Sequence, residues 1–320
     1  MTIRHLKIFI EVVDSGKMST AASRLFISQP TVSQAIRELE EHYGGLLFDR
    51  LSKKLYITAK GKRLLSYARE VVKKFDDMEE MMLQDNYVEK IRIGATNTVG
   101  NCILSEVVKS FGEMNPNIEI YSYTNNTMDI EEKLLKSELD IGIVEGKVKS
   151  PDLISIPEVN DFLVLICSTK HAFAKKKSIK LEELQYESFA MREQGSGTRE
   201  LFERYMSEKG IPFRITSEAN SSDAIKKAVI DNQCLAVISI RLVEEEIKSG
   251  KIHVIQNKDC DWDRFFSVVY HKNKAITDEM KSLIEIVKNY KHVDVLQGIS
   301  TGEISVRGCS FENRLETEDK

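Results

Sequence analysis

The 320-residue sequence lacks long apolar runs, a secretion signal and a cysteine framework. No stretch approaches the ~18 consecutive apolar residues that a transmembrane helix needs. The N-terminus has no cleavable signal layout, because Lys7, Glu11 and Asp14 interrupt its apolar positions. The five cysteines are an odd number without a CxxC pair, which disfavours a disulfide framework or a structural zinc site. We therefore expect a cytoplasmic protein without a metal, a cofactor or a membrane partner.

The charge of the chain is unevenly distributed. Apolar residues make up 42% and charged residues 30%, as in an ordinary soluble globular protein. Residues 1–75 contain 14 Lys and Arg against 7 Asp and Glu, whereas the other 245 residues contain 32 against 43. A basic N-terminal segment of net charge +7 on an acidic body of −11 indicates that the two parts meet different partners.

The first 42 residues have the periodicity of three helices. One face of the first helix carries apolar residues three and four apart: Leu6, Phe9 and Val13. Ser19 or Thr20 is predicted to cap a short second helix, and Ser28 a third, with Pro30 in its first turn. The three-residue connection at 26–28 is typical of a helix-turn-helix.

A basic hairpin is predicted at residues 52–58, where polar and apolar residues alternate beside the helix-turn-helix as in a wing. Gln and Arg read base edges, Ser and Thr contact bases or phosphates, and basic side chains contact the DNA backbone. The candidate contacts to double-stranded DNA are Ser28, Gln29, Pro30, Thr31, Ser33, Gln34, Arg37, Arg50, Lys53 and Lys54.

A long helix is predicted from Ala59 to about Gln84. Its apolar residues follow a 4-3-4-3-4 spacing: Leu64, Ala68, Val71, Phe75, Met78 and Met82. A helix packed on its own domain is the alternative interpretation. The length of the seam and its charged flanks favour a helix that pairs two copies of the chain.

From Lys90 onward, strands alternate with helices, which predicts an α/β fold with a mostly parallel sheet. The pattern begins with a strand at 91–95 and restarts with an apolar strand at 162–167, so we expect two lobes. Ligands of such folds bind outside the carboxyl ends of strands, and here that site becomes a cleft. Residues 299–320 are expected to form a flexible tail.

Two segments of the predicted lobes suit an anion. Residues 94–101 (GATNTVGN) follow a strand and open a helix, and residues 194–199 (QGSGTR) repeat this arrangement. Backbone N–H groups, hydroxyls and Arg199 favour an anion there, although each segment alone is also compatible with an ordinary helix cap. Glu145, after the third strand, opposes an anion unless it turns away or pairs with a cation.

Residues 3–62 closely resemble the winged helix-turn-helix of LysR-type transcriptional regulators. The resemblance rests on Leu6-x-x-Phe9, Ser19-x-x-Ala22-Ser23-x-Leu25, Ser28-Gln29-Pro30-Thr31-Val32-Ser33-x-x-Ile36-x-x-Leu39-Glu40, Leu47-Phe48-x-Arg50 and Thr58-x-x-Gly61. With the two lobes it extends over about residues 1–298. It implies a non-enzymatic regulator that binds promoter DNA and a small effector, forms homodimers and homotetramers, and has RNA polymerase as a further partner.

The resemblance also implies the domain organisation. The fold class is α/β, with an all-α-dominated N-terminal winged helix-turn-helix and a two-lobed, periplasmic-binding-protein-like effector domain. The implied ranges are 1–58 for DNA binding, 59–88 for a dimerising linker helix, 89–298 for the effector domain and 299–320 for the tail. Lobe 1 covers about 89–162 and 268–298, and lobe 2 about 163–267.

The resemblance implies that seven residues contact the effector: Thr96, Asn97, Thr98, Glu145, Gln194, Ser196 and Thr198. The two glycine-containing loops are most similar to those of sulfur-assimilation regulators, and regulators of carbon metabolism have similar loops. We therefore expect an anionic effector, with a sulfur oxyanion or a sulfur-pathway metabolite as the first candidate.

An enzyme and a thiol-based redox sensor are the two alternatives to regulation by an effector. An enzyme is disfavoured because Ser196 lies outside a Gly-x-Ser-x-Gly elbow and no His follows in a convincing position. A thiol-based redox sensor of the same fold is the alternative that stays open. Its candidate residues are Cys102, Cys167, Cys234 and Cys260. They do not form the close pair of cysteines that the family's peroxide sensors use. Cys309 has no evident role.

Overall fold

The computed structural model describes residues 1–51, 54–83, 88–176, 179–255 and 262–290, with the backbone alone at Arg50, Leu51 and Asp263. Lys53, Cys260, Cys309 and the predicted tail lie outside these ranges. The chain divides into two compact units. Of the described residues, the first contains those within Met1–Glu89, Leu135–Ser137 and Lys272–Ala275, and the second those within Lys90–Leu134, Glu138–His271 and 276–290.

The first unit contains helices and a hairpin in the predicted order. They are α1 (Ile3–Ser15), α2 (Met18–Arg24), α3 (Gln29–Tyr43), β1 (Phe48–Leu51), β2 (Lys54–Ile57) and α4 (Ala59–Leu83). Ser28 caps α3 as predicted, because its Oγ accepts a hydrogen bond from the Thr31 N–H at 3.3 Å. The predicted caps of α2 were wrong: Lys17 lies at the N-cap, and Ser19 and Thr20 lie inside the helix.

A single apolar core joins these elements. Its fully buried members include Phe9, Val12, Val32, Ile36, Leu39 and Leu47. Glu40 of α3 fixes the start of the hairpin, since its Oε1 accepts the backbone N–H groups of Leu47 at 2.8 Å and Phe48 at 3.3 Å. The core therefore holds α3 and the hairpin in one rigid arrangement, with the polar face of α3 outward.

The second unit is two-lobed. One lobe contains β3 (Glu89–Thr96), α5 (Asn97–Cys102), α6 (Leu104–Met114), β4 (Ile118–Asn125), α7 (Thr127–Leu135), β5 (Ile141–Glu145) and α11 (Asp278–Lys288). The other contains β7 (Ser188–Arg192), α8 (Gly197–Glu208), β8 (Arg214–Ala219), α9 (Ser222–Asn232), β9 (Ala236–Ser239), α10 (Glu244–Lys248) and β10 (Ile252–Ile255). Two long strands, β6 (Leu153–Ser168) and β11 (Asp263–His271), connect them.

The sheet is mixed, and the expectation of a mostly parallel sheet was wrong. The strand order is β10-β6-β11-β5-β3-β4, with β9 also paired to β6. β3 and β5 are parallel, whereas β6 is antiparallel to β9, β10 and β11, and β11 is antiparallel to β5. The reason is that β6 and β11 run in opposite directions along each other through the junction of the lobes. A separate parallel pair joins β7 and β8.

Each lobe has its own apolar core. Val159 near the start of β6 packs in the core that contains Ile93, Ile143 and Phe266. Residues farther along β6 pack in two clusters of the other lobe, through Val164 on one face and Leu165 on the other. The polar residues where β6 leaves one core and enters the other therefore lie between two apolar bodies.

Candidate functional site

The exposed face of α3 carries most of the predicted DNA contacts. Seven of them are exposed: Ser28, Gln29, Pro30, Thr31, Gln34, Arg37 and Lys54. Ser33 is half-buried, and its hydroxyl lies 3.4 Å from the sulfur of Met18. The side chain of Arg50 and all of Lys53 lie outside the described residues. The core that buries the opposite face of α3 leaves these polar groups free to approach a groove of DNA.

Gln34 is held by neighbouring side chains that the sequence did not indicate. Its Nε2 donates to Glu38 Oε1 at 2.9 Å, and Glu38 Oε2 lies 2.8 Å from His5 Nε2. These residues line a groove of about 420 Å³ together with Pro30 and Thr31. The amide of Gln34 is therefore held in one orientation by Glu38.

In the second unit, β3 and β5 end at a buried hydroxyl and carboxylate cluster. Thr96 Oγ1 accepts the backbone N–H of Glu145 at 3.2 Å, and the Thr98 hydroxyl donates to Glu145 Oε1 at 3.0 Å. Thr127, at the start of α7, donates its hydroxyl to the Glu145 carbonyl oxygen at 3.1 Å. All four residues are buried. The carboxyl ends of two parallel strands thus bring together residues that lie 49 positions apart.

The opposite lobe adds hydroxyls from the start of α8. Ser196 is the N-cap of α8 and is 1% exposed, but its Oγ has no hydrogen-bond partner among the described residues. Thr198 is 2% exposed, and its Oγ1 accepts a hydrogen bond from Arg264 Nη1 at 2.8 Å. An unpartnered buried hydroxyl at a helix N-terminus is a ready donor for an anion.

Gly197 permits the close approach of the two lobes. A Cβ at this position would lie 2.6 Å from the carbonyl oxygen of Glu145. Gly146, with φ of +87°, lies opposite, and a Cβ there would lie 3.0 Å from the Gly197 Cα. Only glycine fits both constraints.

Arg264 is the main cation of this cluster, and sequence reasoning missed it. Its Nε donates to Asp161 Oδ2 at 2.7 Å, its Nη1 donates to Thr198, and its Nη2 is buried without a hydrogen-bond partner in the described part of the chain. Asp161 also accepts the Ser239 hydroxyl at 2.6 Å. In the sequence, the signal for this pair is a single Arg and a single Asp beside apolar strands, and such residues are equally typical of an ordinary strand end.

A second arginine lies beside Asp161. Arg241 Nε is 3.6 Å from Asp161 Oδ1, and its Nη2 donates to the Asn160 carbonyl oxygen at 2.6 Å. Arg192 is paired with its neighbour Glu193 through two hydrogen bonds of 2.9 and 3.0 Å. The junction of the lobes is therefore rich in buried guanidinium groups, which bind oxyanions through paired N–H donors.

The pKa of Glu145 is raised, chiefly because its carboxyl group is buried. Arg264, Arg192 and the Thr98 hydroxyl act in the opposite direction. Oε2 of this carboxyl group has no hydrogen-bond partner among the described residues. Glu145 therefore stays in the site rather than turning away, which decides a point that the sequence left open.

Two predicted effector residues lie at the margin of the cluster. Asn97 is half-buried, and its Nδ2 is 3.5 Å from Glu193 Oε1. Gln194 is exposed. A cavity of about 220 Å³ adjoins Arg264 and is lined by Gly146, Lys147, Gly197, Glu200, Leu201, Arg204, Phe265 and Ser267.

The described cysteines lack the properties of redox sensors. Burial raises the pKa of the Cys102 and Cys167 thiols to about 12 and also raises that of Cys234. None of the three is disulfide-bonded. Because a thiolate is the reactive species, these thiols are poor nucleophiles at neutral pH.

The described residues contain neither a cluster of metal ligands nor a helix able to cross a membrane. In the part of the chain that the structure describes, no His, Cys, Asp and Glu side chains form a group of three or more able to hold a metal ion. Among the same residues, no helix has the length and apolar character to cross a membrane.

The two units correspond to a DNA-binding winged helix and a two-lobed ligand-binding fold. Residues 3–62 match the family described as bacterial regulatory helix-turn-helix protein, lysR family, and residues 84–291 match the LysR substrate binding domain. The chain belongs to the LysR family of transcriptional regulators. It is accordingly a DNA-binding transcriptional regulator with an effector-binding domain, not an enzyme.

Relatives and solved structures agree with this family. The chain is 30% identical over 285 residues to the uncharacterized HTH-type transcriptional regulator YeiE of Escherichia coli K12, covering 89% of this chain and 96% of YeiE. It is 28% identical over 289 residues to the transcriptional regulator CysL of Bacillus subtilis, covering 89% and 97%. The regulatory domain of CcmR from Synechocystis PCC6803, in complex with 2-PG, has a TM-score of 0.58 at 24% identity and covers 63% of this chain and 98% of that domain.

Proposed function

We propose that the effector of this regulator is a small oxyanion that binds at the junction of the two lobes. Ser196 Oγ and Arg264 Nη2 support this most directly, because both are buried donors without a hydrogen-bond partner among the described residues. A buried unpartnered polar group costs about 1–3 kcal/mol, so a ligand that accepts both hydrogen bonds recovers that free energy. Thr96, Thr98 and Thr198 contribute further hydroxyls, with Glu145 among them and Asn97 and Gln194 at the border.

A sulfur oxyanion is the first candidate within this class. The basis is the likeness of residues 94–101 and 194–199 to the loops of sulfur-assimilation regulators. Differential affinity for two arrangements of the lobes would then change the promoter contacts of the oligomer.

We further propose that α3 reads the major groove of the operator and that the hairpin contacts the DNA backbone. The exposed side chains of α3 are the support, with Gln34 and Arg37 able to read base edges. Arg50 and Lys53 keep their proposed role as backbone contacts. On this proposal residues 1–58 bind DNA, 59–88 form the linker helix, and 89–298 bind the effector.

The same proposal gives α4 the role of pairing two copies of the chain. Within α4, Val71 and Met78 are each 47% exposed and Met82 is 75% exposed, although they belong to one apolar seam. Leu64 and Ala68 of the seam pack in the core of their own unit, so a second α4 would cover its exposed part, whose apolar area is otherwise in water. Dimers pair into a tetramer in this proposal, which acts on promoters in the cytoplasm and meets RNA polymerase there.

The first experiment is thermal unfolding of the full chain with a panel of small anions. The panel contains sulfate, sulfite, thiosulfate, phosphate, O-acetylserine and several carboxylates. A ligand at 100 times its Kd stabilises the folded chain by about 2.7 kcal/mol. The stabilisation should disappear in Thr98→Ala and Thr198→Ala, and remain in Thr216→Ala, an exposed threonine outside the cluster. No stabilisation by any anion would contradict the proposed class of effector.

A further inference from the structure

A carboxylate lies among the donors of the effector site. Glu145 is 1% exposed, its Oε1 accepts the Thr98 hydroxyl at 3.0 Å, and its Oε2 has no hydrogen-bond partner among the described residues. The unpartnered donors Ser196 Oγ and Arg264 Nη2 lie beside it, because Ser196 precedes Gly197, which closely approaches the Glu145 carbonyl oxygen, and Arg264 donates to Thr198. An oxyanion can satisfy the two donors, but it cannot satisfy an ionised carboxylate, because both groups only accept hydrogen bonds.

The groups around Glu145 determine how this conflict is resolved. The charged side chains that act on Glu145 are Arg264 from β11 and Arg192 from β7. Cys102 of α5 is the other titratable neighbour and is a neutral thiol, since its pKa is raised to about 12. The remaining polar contacts are hydroxyls of Thr96, Thr98 and Thr127. Apart from the carboxyl group itself, no group in this described shell gains or loses a proton near neutral pH.

The balance of buried charge favours a neutral Glu145 when an anion is bound. Arg192 is neutralised by its neighbouring glutamate. Arg264 and Arg241 share one carboxylate, that of Asp161, which leaves one positive charge in excess. An ionised Glu145 cancels that charge, whereas a protonated Glu145 leaves it available to a bound anion. Because uncompensated buried charge is costly, a bound anion and an ionised Glu145 exclude each other unless a proton lies between them.

We propose that the site binds an oxyanion together with one proton, which the ligand and Glu145 share between them. The inference rests on the proposed effector class. The proton lies on a hydrogen bond between Glu145 Oε2 and a ligand oxygen, as when two carboxyl groups share one site. An anion that keeps a proton near neutral pH, such as hydrogen phosphate or hydrogensulfite, brings that proton with it. Sulfate carries none, so Glu145 has to take one up from solvent.

The test is calorimetric titration of the full chain with sulfate and with phosphate, from about pH 5 to about pH 9. For the natural chain we expect the Kd of sulfate to rise about tenfold per pH unit once Glu145 is ionised in the free protein. Phosphate should bind with a much smaller pH dependence. Glu145→Gln places a permanent N–H donor at Oε2, so sulfate should bind this variant with a Kd that does not change with pH.

Glu131→Gln is the matched control. Glu131 is also a buried glutamate whose pKa is raised by burial, but its carboxylate accepts the backbone N–H of Lys149 and lies outside the cluster. This variant should keep the pH dependence of sulfate binding. If sulfate binds the natural chain with one Kd across the range, or if Glu145→Gln leaves sulfate binding at high pH unchanged, the shared proton is wrong and the effector class stands. If neither anion binds any variant, the effector class fails and the inference with it.

Discussion

Arg264 Nη1 donates a 2.8 Å hydrogen bond to the hydroxyl of Thr198, a residue 66 positions away in the chain. The arginine lies on β11 at the junction of the lobes, and the threonine lies in the first turn of α8. The same guanidinium is anchored to Asp161 of β6. One side chain therefore links the connecting strands to the helix that begins the proposed effector site, and a movement of either lobe has to change its hydrogen bonds.

Arg264→Lys should weaken oxyanion binding without unfolding the chain. Lysine keeps the charge for Asp161 but cannot donate to Asp161, Thr198 and a ligand in one plane. Loss of one hydrogen bond to a charged group is worth about 1.5–3 kcal/mol, or roughly a ten- to hundredfold rise in Kd. Calorimetric titration measures that change. Arg214→Lys, on an exposed arginine of β8, should leave the Kd unchanged.

Glu145→Gln should also stabilise the free chain at neutral and alkaline pH. The folded-state pKa of Glu145 is raised above the unfolded value of 4.5, so the natural chain loses stability as the pH rises from the unfolded towards the folded pKa. Glutamine is neutral throughout. The variant should be more stable by about 1–3 kcal/mol above the folded pKa, with no such difference below about pH 4.5.

Urea denaturation of both proteins at several pH values measures this difference. The sign is what matters, because a carboxylate stabilised by its arginine neighbours would give the opposite result. A natural chain that is more stable than Glu145→Gln at high pH would show that the positive charge around Glu145 outweighs its burial.

Gly197→Ala should disturb the contact between lobes. The added Cβ would lie 2.6 Å from the Glu145 carbonyl oxygen, so the start of α8 has to shift. Overpacking of this kind costs about 1–3 kcal/mol and should also abolish stabilisation by an anion. Gly112→Ala in α6 is the control, because its Cβ would meet only Ile120 Cδ1 at 3.4 Å. That control should be neutral or slightly stabilising.

The local features of the fold could be predicted from the sequence. Ser28 caps α3 because a serine before Pro30 supplies the side-chain acceptor that the first turn needs. The wing and the long α4 also follow the local alternation and the 3.6-residue periodicity. These signals depend on residues close together in the chain.

The electrostatics of the site could not be predicted in the same way. Asp161 and Arg264 lie 103 positions apart and meet only because β6 and β11 are antiparallel neighbours, a pairing that a mostly parallel sheet did not contain. Thr96, Thr98 and Thr198 lie at helix starts that the sequence indicates, but their hydrogen-bond partners, Glu145 and Arg264, lie on strands. In the sequence, the carboxylate of Glu145 conflicts with an anion site. Only the structure accounts for it, through the Thr98 hydroxyl and the nearby charge of Arg264.

The proposed roles of the DNA contacts predict two different mutant phenotypes. Gln34→Ala removes an amide that can read a base edge, so affinity for the operator should fall by about 1–3 kcal/mol while non-specific binding is retained. Lys54→Ala removes an exposed side chain that is proposed to contact the DNA backbone. Binding to all DNA sequences should therefore weaken, and the salt dependence of binding should become less steep. Fluorescence anisotropy with operator and scrambled duplexes at several salt concentrations separates the two effects.

Glu38→Ala should show how far the orientation of Gln34 matters. The change frees the Gln34 amide from its 2.9 Å hydrogen bond and also removes a negative charge near the DNA. Removal of the charge alone should strengthen binding to every duplex, whereas loss of orientation should reduce the preference for the operator over scrambled DNA. A smaller preference combined with tighter non-specific binding is the expected result. An unchanged preference would mean that Gln34 reads the operator without help from Glu38, or that it does not read bases at all, and the Gln34→Ala measurement decides between these two.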